Sequence, residues 1–348
     1  MNNYNNKHLI FIVYDGVKNS VFQSQVLQPI LDELKNNELL SATIISFEPN
    51  IKNAENFCTT LSSHPNLKFK FFKRLPFFGK ISLLPAIFSF RKFCKTQLFS
   101  QITARGPLAG YILCNTWPPN TNILIQARGL CAEEYRYTKH KTHRNFLQKL
   151  WDKFTFSSLE NIEHEVYGNK SIKIEAVSLA LKDYLITAFG AEPANIFIAV
   201  KDIPKAVDKY QAIVWRGQVR DELGISDGAI VYCYSGSFRP WQCAKETVES
   251  FAFEYFKDKD SFMLILTQDQ EPFQKELEKL KIPETSYKIL SVKPQELYKY
   301  LCAANFGMLL REPDVINWVS RPTKMLEYQA CGLKIIHNYA VAWLTKNS

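Results

Sequence analysis

The sequence lacks a long hydrophobic run. No stretch of about 18 or more uncharged apolar residues occurs in the 348-residue chain, so no helix is expected to span a membrane. The N-terminus is polar, and the apolar run Leu9–Val13 is too short for the core of a signal peptide. Hydrophobic residues still make up 46% of the chain, which is enough to build protein cores. The length favours two domains.

The sequence also lacks a CxxC pair. Its 8 cysteines are scattered, and several lie inside apolar segments that have the pattern of strands. This distribution argues against a zinc site or a disulfide framework and predicts reduced, buried thiols. Together with the missing hydrophobic run, it predicts a cytoplasmic protein.

One segment lacks acidic residues altogether. Between Lys68 and Lys95 there is no Asp or Glu, and basic residues alternate with aromatic and aliphatic ones. The whole chain carries a formal net charge of +9, which favours anionic partners. We predict that this segment docks on an anionic membrane surface, with Phe77, Phe78 or Leu84 inserted. The alternative is a buried strand and a core helix whose lysines reach to solvent. No nucleic-acid partner is expected, because no recognition motif is present.

Strand-like and helix-like segments alternate along the chain. Short apolar runs such as Leu9–Tyr14 predict strands, and segments with apolar residues at helical spacing, such as Phe22–Leu34, predict helices. This alternation predicts an α/β fold with parallel sheets covered by helices on both faces. The segment Lys201–Lys205 looks like a hinge. We therefore predict two doubly wound, Rossmann-like domains, residues 1–203 and 204–348, which face each other across a ligand-binding cleft.

The most informative motif lies near the end of the chain. The segment Ser320–Ile336 predicts a polar loop, a short helix, a glycine stop and a buried strand. Pro322 suits the first turn of a helix, and Gly332 suits the sharp turn after it. The N-terminus of such a helix favours a phosphate. Lys324 and Glu327 lie in its first turns, within reach of a ligand's phosphate and hydroxyl groups. The alternative is an ordinary helix with a solvated Lys and Glu.

Two further loops of the same domain follow predicted strands. The first contains Gly236 and Ser237, which are small enough to let the backbone approach a phosphate, and Arg239, which can clamp it. The alternative is a Gly/Ser turn with an exposed arginine. The second loop contains Val292 and follows the third predicted strand of the domain.

These motifs and their order resemble the GT-B glycosyltransferases, specifically family 4, over almost the whole chain. The segment Glu327–Gly332 matches the family's Glu-Ala-x-Ala-x-Gly pattern in spacing, and Ser320-x-Pro-x-Lys324 matches a variant found in part of the family. The resemblance implies that Glu327 holds the ribose hydroxyls of a nucleotide-diphosphate sugar. It also implies that Ser320 and Lys324 lie by the diphosphate and the donor sugar, and that the loop around Val292 frames the base.

The resemblance also bears on the chemistry. It implies transfer of the sugar with retention of configuration and without a metal or another cofactor. The leaving diphosphate would be stabilised by Arg239, by Lys324 and by helix amides, and the departing phosphate would help to deprotonate the acceptor. The family's lysine near the diphosphate is matched by either Lys245 or Lys324. The family's second glutamate, eight positions before Glu327, is replaced by Val319, with Glu312 and Asn317 as candidates for its role. The Asp-x-Asp segment Asp258–Asp260 is expected to be a solvated turn rather than a metal site.

The first domain is expected to supply the acceptor side. The residues expected there are Gly16, Asn19, Ser20, Arg105, Arg128 and Glu134. Arg128 follows a predicted strand and opens an Arg-Gly-x-x-x-Glu-Glu motif that resembles one in part of the family. An arginine at such a position can neutralise a diphosphate leaving group or a lipid phosphate, and a glutamate can bind sugar hydroxyls. The alternative is an Arg–Glu pair that fixes the loop.

These inferences together predict a glycosyltransferase of the hexosyltransferase type. It would act on a glycan or lipid acceptor in cell-envelope polysaccharide assembly, on the inner face of the membrane. One alternative is a GT-B sugar-nucleotide 2-epimerase, although the acid/base carboxylates and histidines of such enzymes are not found here. The other is an inactive sugar-nucleotide or lipid-surface binding module. Val319 and the short segment after the last predicted strand, which suggests a shortened C-terminus, are the reasons to consider it.

Overall fold

The computed structural model describes residues 7–346 except for 20, 62–63, 97–98, 100, 117–120, 141–143 and 201–202. The chain divides into two compact units, Met1–Asp202 and Ile203–Ser348. Among the described residues, no helix is both long enough and apolar enough to cross a membrane.

Unit 1 contains a parallel sheet that has 7 strands within the described part of the chain, in the order β3-β2-β1-β4-β5-β6-β7. The strands are β1 (Lys7–Val13), β2 (Leu40–Glu48), β3 (Leu67–Lys73), β4 (Gln101–Arg105), β5 (Asn122–Ala127), β6 (Lys173–Ala176) and β7 (Ile196–Ile198). The central strands are rich in buried β-branched residues, such as Ile12 and Ile44, which is typical of parallel strands covered on both faces. In the register, Val13 lies beside Ser46 of β2 and Arg105 of β4. The loops after these strands therefore start at the same edge of the sheet.

The helices of unit 1 connect these strands. They are α1 (Gln28–Lys35), α2 (Ile51–Cys58), α3 (Leu84–Cys94), α4 (Gly106–Cys114), α5 (Cys131–His140), α6 (Phe146–Tyr167) and α7 (Leu179–Phe189). A π-helical turn, Gln23–Leu27, precedes α1, and 3₁₀ turns lie at Ile81–Leu83 and Pro193–Asn195. Helix α6 begins with a capping box between Asn145 and Gln148, and its buried residues start only at Thr155. Its first half is therefore not part of the core of the unit.

Unit 2 contains a second parallel sheet, with 5 strands among the described residues, in the order β10-β9-β8-β11-β12. The strands are β8 (Val231–Ser235), β9 (Phe262–Leu266), β10 (Tyr287–Leu290), β11 (Phe306–Leu309) and β12 (Lys334–His337). All residues of β9 are buried, and apolar clusters cover both sides of the sheet. The alternating pattern of the sequence thus correctly predicted a parallel sheet in each half of the chain.

The helices of unit 2 include several short elements. They are α8 (Lys209–Leu223), α9 (Ala244–Lys257), α10 (Gln270–Lys279), α11 (Leu297–Leu301), α12 (Val315–Trp318), α13 (Thr323–Ala330) and α14 (Ala342–Lys346), with 3₁₀ turns at Pro240–Gln242, Glu284–Ser286 and Pro294–Glu296. Sequence periodicity did not predict α5, α12 or α14. Helices α12 and α14 are too short to show a period, and α5 is a polar segment that packs against α6.

Candidate functional site

The first group of predicted site residues lies at one edge of the sheet of unit 2. The strand order of this sheet reverses between β8 and β11, which are hydrogen-bonded neighbours. Ligands of open α/β sheets bind outside the carboxyl ends of the strands at such a reversal. Gly236 directly follows β8, Arg311 lies just beyond β11, and Lys324 lies in the first turn of α13. The contacts described below bring these three residues together.

Lys324 is the centre of this group. Its side chain is buried, with a relative exposure of 8%, although an isolated lysine is normally solvated. The Nζ atom donates a hydrogen bond to Oε1 of Gln242 at 2.8 Å and lies 4.1 Å from the ring centroid of Tyr234. The same Gln242 oxygen accepts a hydrogen bond from the Tyr234 hydroxyl at 3.1 Å. The alternative interpretation of Lys324 as a solvated surface charge is therefore wrong.

Gly236 is required by this arrangement. Its φ of +138° lies in a region that residues with a side chain rarely adopt. A Cβ atom placed on Gly236 would lie 2.8 Å from Nζ of Lys324 and 2.9 Å from Oε1 of Gln242. The glycine therefore allows the lysine ammonium group to lie directly against the backbone of the loop after β8.

A second buried cation lies near Lys324. Burial lowers the pKa of Lys324 well below its usual range, and the positive charge of Arg311 lowers that pKa further. Arg311 is 9% exposed, and its backbone is fixed by two hydrogen bonds with the side chain of Asn338, of 3.2 and 2.6 Å. Two basic side chains that interact within a buried site destabilise each other's charge. An anion bound between them would remove this cost.

Glu327 lies one turn further along α13 and is half-buried. Burial raises the pKa of its carboxyl group, and the charge of Lys324 acts in the opposite direction. Burial, together with the charge of Glu327, raises the pKa of Tyr298 to about 12. Lys324 and Glu327 therefore interact electrostatically, as their spacing on one helix predicts, and Tyr298 of α11 is a neighbour that sequence reasoning missed.

The helix that carries Lys324 and Glu327 is fixed to the sheet by Tyr328. The Tyr328 hydroxyl accepts a hydrogen bond from the backbone N–H of Ser235 at 2.9 Å. The ring lies over Gly307 of β11, where any Cβ atom would clash with it. After α13, Gly332 has a φ of +74°, in agreement with its predicted role at the end of the helix. Pro322 is the N-cap residue, one position before its predicted place.

The other predicted donor-side residues differ in their contacts. Ser237 receives a hydrogen bond on Oγ from Nε2 of Gln242 at 3.2 Å, so it belongs to the Lys324 group. Ser320 is half-buried and donates to the carbonyl of Asn317 at 2.8 Å. Arg239 is exposed, and its guanidinium group lies 6.0 Å from the ring centroid of Trp241. Val292 packs against the apolar cluster below the sheet.

Sequence reasoning missed two members of the Lys324 group, Gln242 and Arg311. Gln242 lies in the 3₁₀ turn that precedes α9, and nothing in its sequence context points to a lysine 82 positions later. Arg311 follows an apolar strand, a position that could have marked it. Val319, which stands where the resemblance implies a second glutamate, is buried. Asn317 is also buried, and its Nδ2 donates to the carbonyl of Glu312 at 2.9 Å.

Unit 1 carries a pocket at the carboxyl ends of β1, β2 and β3. It has a volume of about 490 Å³ and is lined by Tyr14, Asp15, Pro49, Lys73, Arg74, Leu75, Pro76, Phe77 and Leu108. Arg74 donates to the carbonyl of Tyr14 and lies 5.4 Å from its ring centroid. Burial raises the pKa of Asp15, while the charges of Arg105 and Arg74 lower it. Arg105 thus lies close enough to this pocket for its charge to act on Asp15.

A set of carboxyl groups lies at the start of α5. The carboxylate of Glu163 accepts a hydrogen bond from the backbone N–H of Cys131 at 2.6 Å, and burial raises the pKa of Glu163 to about 8. The Glu134 carboxylate lies against Gly129. Solvent reaches the Glu134 side chain, yet the surrounding protein, together with the charge of Asp15, raises its pKa to about 7. Glu134, in the first turn of α5, and Asp15, in the loop after β1, therefore interact electrostatically.

Arg128 and Gly16 are held by carboxylates that sequence reasoning missed. Arg128 forms a 3.4 Å ion pair with Glu175 of β6, which lies outside its own motif. A Cβ on Gly16, which has a φ of +86°, would lie 2.8 Å from Oε2 of Glu48. Asn19 caps the same loop by accepting a hydrogen bond from the N–H of Val21 at 3.0 Å. Ser20 lies outside the described residues.

The segment between Lys68 and Lys95 contains β3, a loop and α3. Several of its cations contact protein groups: Lys73 donates to the carbonyl of Pro49, and Lys80 pairs with Glu165. Phe78 and Leu84 are exposed, at 53% and 45%, whereas Phe77 lines the pocket of unit 1. The segment thus combines exposed apolar side chains with basic residues, some of which are bonded to the protein.

Comparison with known proteins identifies the fold. No family model matches the sequence, and no curated protein matches it. Solved structures do match it. The sucrose-phosphate synthase of Thermosynechococcus elongatus covers 95% of this chain and 81% of its own, with a TM-score of 0.66 and 11% identity. The chain has the GT-B fold.

Other proteins with the GT-B fold match equally large parts of the chain. WaaG, a glycosyltransferase involved in lipopolysaccharide biosynthesis, covers 97% of this chain and 83% of its own, with a TM-score of 0.64 and 12% identity. A putative UDP-N-acetylglucosamine 2-epimerase from Listeria monocytogenes covers 95% and 78%, with a TM-score of 0.54 and 9% identity. The predicted fold class is thus confirmed, and the GT-B fold accommodates more than one activity on sugar nucleotides.

Proposed function

We propose that the protein is a glycosyltransferase that moves a sugar from a nucleotide-diphosphate sugar to a glycan or lipid acceptor. The proposal includes retention of configuration, independence from metal ions, and a place in cell-envelope polysaccharide assembly. WaaG, which has the same fold, is described as a glycosyltransferase of lipopolysaccharide biosynthesis. The geometry around Lys324 is the independent support.

The observation that carries the proposal is the buried cation pair. Lys324 and Arg311 interact within a site that lowers the pKa of the lysine, so the charged form of Lys324 is costly without an anion. The backbone around Gly236 approaches the lysine ammonium closely. A diphosphate placed here would be bound by Lys324, Arg311 and the amides of this loop, with Arg239 in reach from the same loop. These are the partners that a leaving diphosphate needs.

Glu327 would bind the ribose of the nucleotide sugar. A carboxylate accepts hydrogen bonds from two adjacent hydroxyls, and Glu327 lies one helical turn from Lys324. The ribose would therefore lie beside the diphosphate, and the base would extend towards the loop that contains Val292. Ser320, three residues before the start of α13, would contact the phosphates or the donor sugar from the N-terminal side of the helix.

The proposed reaction forms one bond and breaks another at the anomeric carbon of the sugar. The bond from this carbon to the phosphate oxygen breaks, and both bonding electrons leave with the diphosphate. The acceptor oxygen forms the new glycosidic bond on the same face, and its proton passes to the departing phosphate oxygen. The cations of unit 2 stabilise the charge that develops on the leaving group.

Unit 1 would bind the acceptor. The pocket near Asp15 and Arg105 combines apolar walls with charged groups, which suits a sugar attached to an apolar or phosphorylated carrier. Arg128 would neutralise a phosphate, and Glu134 would bind sugar hydroxyls as an acceptor of hydrogen bonds. We place the enzyme on the inner face of the membrane, with the segment between Lys68 and Lys95 towards anionic lipid.

Two other functions remain in competition. A sugar-nucleotide 2-epimerase is favoured by the match to a protein of that name with the same fold. A binding module without activity is favoured by Val319, an apolar residue where the resemblance implies a glutamate.

One experiment separates the three functions. The protein is incubated with a panel of UDP-, GDP- and ADP-sugars, with and without an envelope lipid extract, and the products are resolved by anion-exchange chromatography. Transfer releases the nucleoside diphosphate faster in the presence of the extract. An epimerase instead changes the sugar nucleotide without releasing the nucleoside diphosphate, and a binding module leaves every substrate intact. Either of the last two results would refute the proposal.

A further inference from the structure

The first half of α6 presents a largely exposed apolar face. Its large exposed side chains are Phe146, Leu147, Leu150, Trp151 and Phe154. Phe146 and Leu147 are more than two-thirds exposed, at 73% and 74%. Leu147, Leu150, Trp151 and Phe154 follow the spacing of one helical face. This stripe ends where the buried residues of α6 begin, at Thr155.

A loop from the basic segment extends the same face. The ring of Phe78 lies 5.2 Å from that of Trp151 and 5.4 Å from that of Phe154, measured between centroids. The two α6 rings are 5.6 Å apart. Phe78 is itself 53% exposed. The result is a single aromatic cluster at the surface of unit 1, larger than the scattered apolar residues that ordinary surfaces carry.

The neighbouring face of α6 forms a basic pocket with α5. The pocket has a volume of about 420 Å³. Its charged lining residues are Arg136, Lys139, Arg144, Lys149, Asp152 and Lys153. Lys149 and Lys153 lie one turn apart on α6 and next in sequence to Leu150 and Phe154. The basic pocket and the apolar face therefore share an edge along the helix.

Basic residues outnumber acidic ones in the described lining of the pocket. Asp152, the only acidic residue among those described there, accepts a hydrogen bond from the Tyr135 hydroxyl at 2.7 Å and pairs with Arg144 at 3.4 Å. Arg136 pairs with Glu133. Asp152 is thus bonded to Tyr135 and Arg144. Lys149 and Lys153 add positive charge to the lining of the pocket.

We infer that this pocket binds the phosphate headgroup of an anionic membrane lipid, while the apolar face of α6 enters the bilayer interface. An apolar stripe with aromatic residues beside a row of lysines is the pattern of a helix that lies in a membrane surface. This inference rests on the membrane part of the proposed function and is independent of glycosyl transfer.

The same observations favour a lipid over the other anionic partners. A soluble phosphate compound would use the cations but leave the apolar face exposed. A membrane uses both and agrees with the Lys68–Lys95 prediction, because Phe78 of that segment is part of the cluster. Lys73 and Lys80 of that segment are bonded to protein groups. The α5–α6 pocket therefore supplies charge that the sequence-based prediction did not include.

The test is sedimentation of the full-length protein with lipid vesicles. We compare phosphatidylcholine vesicles with vesicles that also contain phosphatidylglycerol, at low and at physiological salt. Two double variants probe the two parts of the surface, Lys149→Glu with Lys153→Glu and Leu147→Ser with Leu150→Ser. The control is Lys173→Glu with Lys288→Glu, which makes the same charge change at two exposed strand lysines outside α5 and α6. Unchanged urea midpoints establish that each variant is folded.

We expect the wild type and the control to bind the anionic vesicles. The pocket variant should lose at least about 10-fold in affinity, since each basic residue near an anionic surface contributes substantially to binding. The apolar variant should bind less even at low salt, because its loss is not electrostatic. Inorganic phosphate in the buffer should not reproduce the loss.

Three results would overturn the inference: equal binding to neutral vesicles, binding to neither kind, or double variants that bind like the control. Nucleoside diphosphate binding, measured on the same samples, should be unaffected by all three pairs of changes. Absence of lipid binding by the wild type together with intact nucleotide binding would refute this inference alone, whereas absence of nucleotide binding in every sample would refute the proposed function instead.

Discussion

Replacing Lys324 by Met should make the protein more stable while it removes the proposed function. Met has a similar length and can occupy the same buried position without a charge. The Gln242 oxygen would not lose its only partner, because it also accepts a hydrogen bond from the Tyr234 hydroxyl. Replacing buried charges by apolar side chains is commonly neutral or stabilising, by up to about 4 kcal/mol. We therefore expect the free energy of unfolding at pH 7 to stay the same or to rise within this range.

The pH dependence gives the sign of the effect. Burial lowers the pKa of Lys324 in the folded protein, so the unfolded chain binds the proton more tightly. The destabilisation is complete below the folded-state pKa and disappears as the pH rises towards the ordinary pKa of lysine. The stability of the wild type relative to the variant should therefore increase with pH, with a slope of at most about 1.4 kcal/mol per pH unit. The other titrating groups are common to both proteins and cancel in the difference.

The assay is urea unfolding of both proteins at pH 7, 8 and 9. Lys245→Met is the matched control, because Lys245 is the other lysine that sequence reasoning considered for the phosphate. Lys245 is 48% exposed and lies 3.7 Å from Glu249 on the surface of α9, a pair that contributes about 0.5 kcal/mol or less. A Lys324→Met protein that is clearly less stable than the wild type at every pH would show that the lysine is a structural residue, and the reasoning would be wrong.

Three further substitutions test the same site. Gly236→Ala should destabilise the protein by about 1–3 kcal/mol through backbone strain and displace Lys324. The control Gly217→Ala, in open space on α8, should be neutral or stabilising by up to about 1 kcal/mol. Urea unfolding measures the free energy of unfolding of both variants. Glu327→Ala should weaken binding of the sugar nucleotide by more than about 1 kcal/mol in calorimetry, and wild-type affinity would remove Glu327 from the site. Arg239→Ala should reduce turnover more than it changes the urea midpoint; near-normal turnover would make Arg239 a surface charge that only stacks on Trp241.

The fold could be predicted because it follows from local patterns of apolar and polar residues in the sequence. Runs such as Ile10–Val13 and Phe262–Leu266 are apolar and short, and they alternate with helical periodicity, so they predict buried parallel strands. Gly332 correctly predicted the turn after α13, because its φ is positive in the structure. The place of Lys324 and Glu327 on one helix also followed from their spacing. Each of these features depends on residues that are close in sequence.

The remaining parts of the sites depend on contacts between distant residues. Lys324 contacts Gln242, Arg128 pairs with Glu175, and Gly16 lies against Glu48. The two members of each pair belong to different segments of the chain, so no local sequence pattern predicts the contact. The exposed face of α6 shows a second limit. Its apolar stripe has the same periodicity as a core helix, and only the position of α6 relative to the core of unit 1 shows that half of the stripe faces outwards.

The central claim is that the cations of unit 2 bind the diphosphate of a nucleotide sugar. Its most direct test is calorimetric titration of the wild type and of Lys324→Met with matched pairs of nucleotides, UDP with UMP, GDP with GMP and ADP with AMP. In at least one pair, the wild type should bind the diphosphate at least about 10-fold more tightly than the monophosphate, which corresponds to about 1.4 kcal/mol. The preference should disappear in Lys324→Met and persist in Lys245→Met. Equal affinity for diphosphate and monophosphate, or a preference that survives the loss of Lys324, would contradict the account.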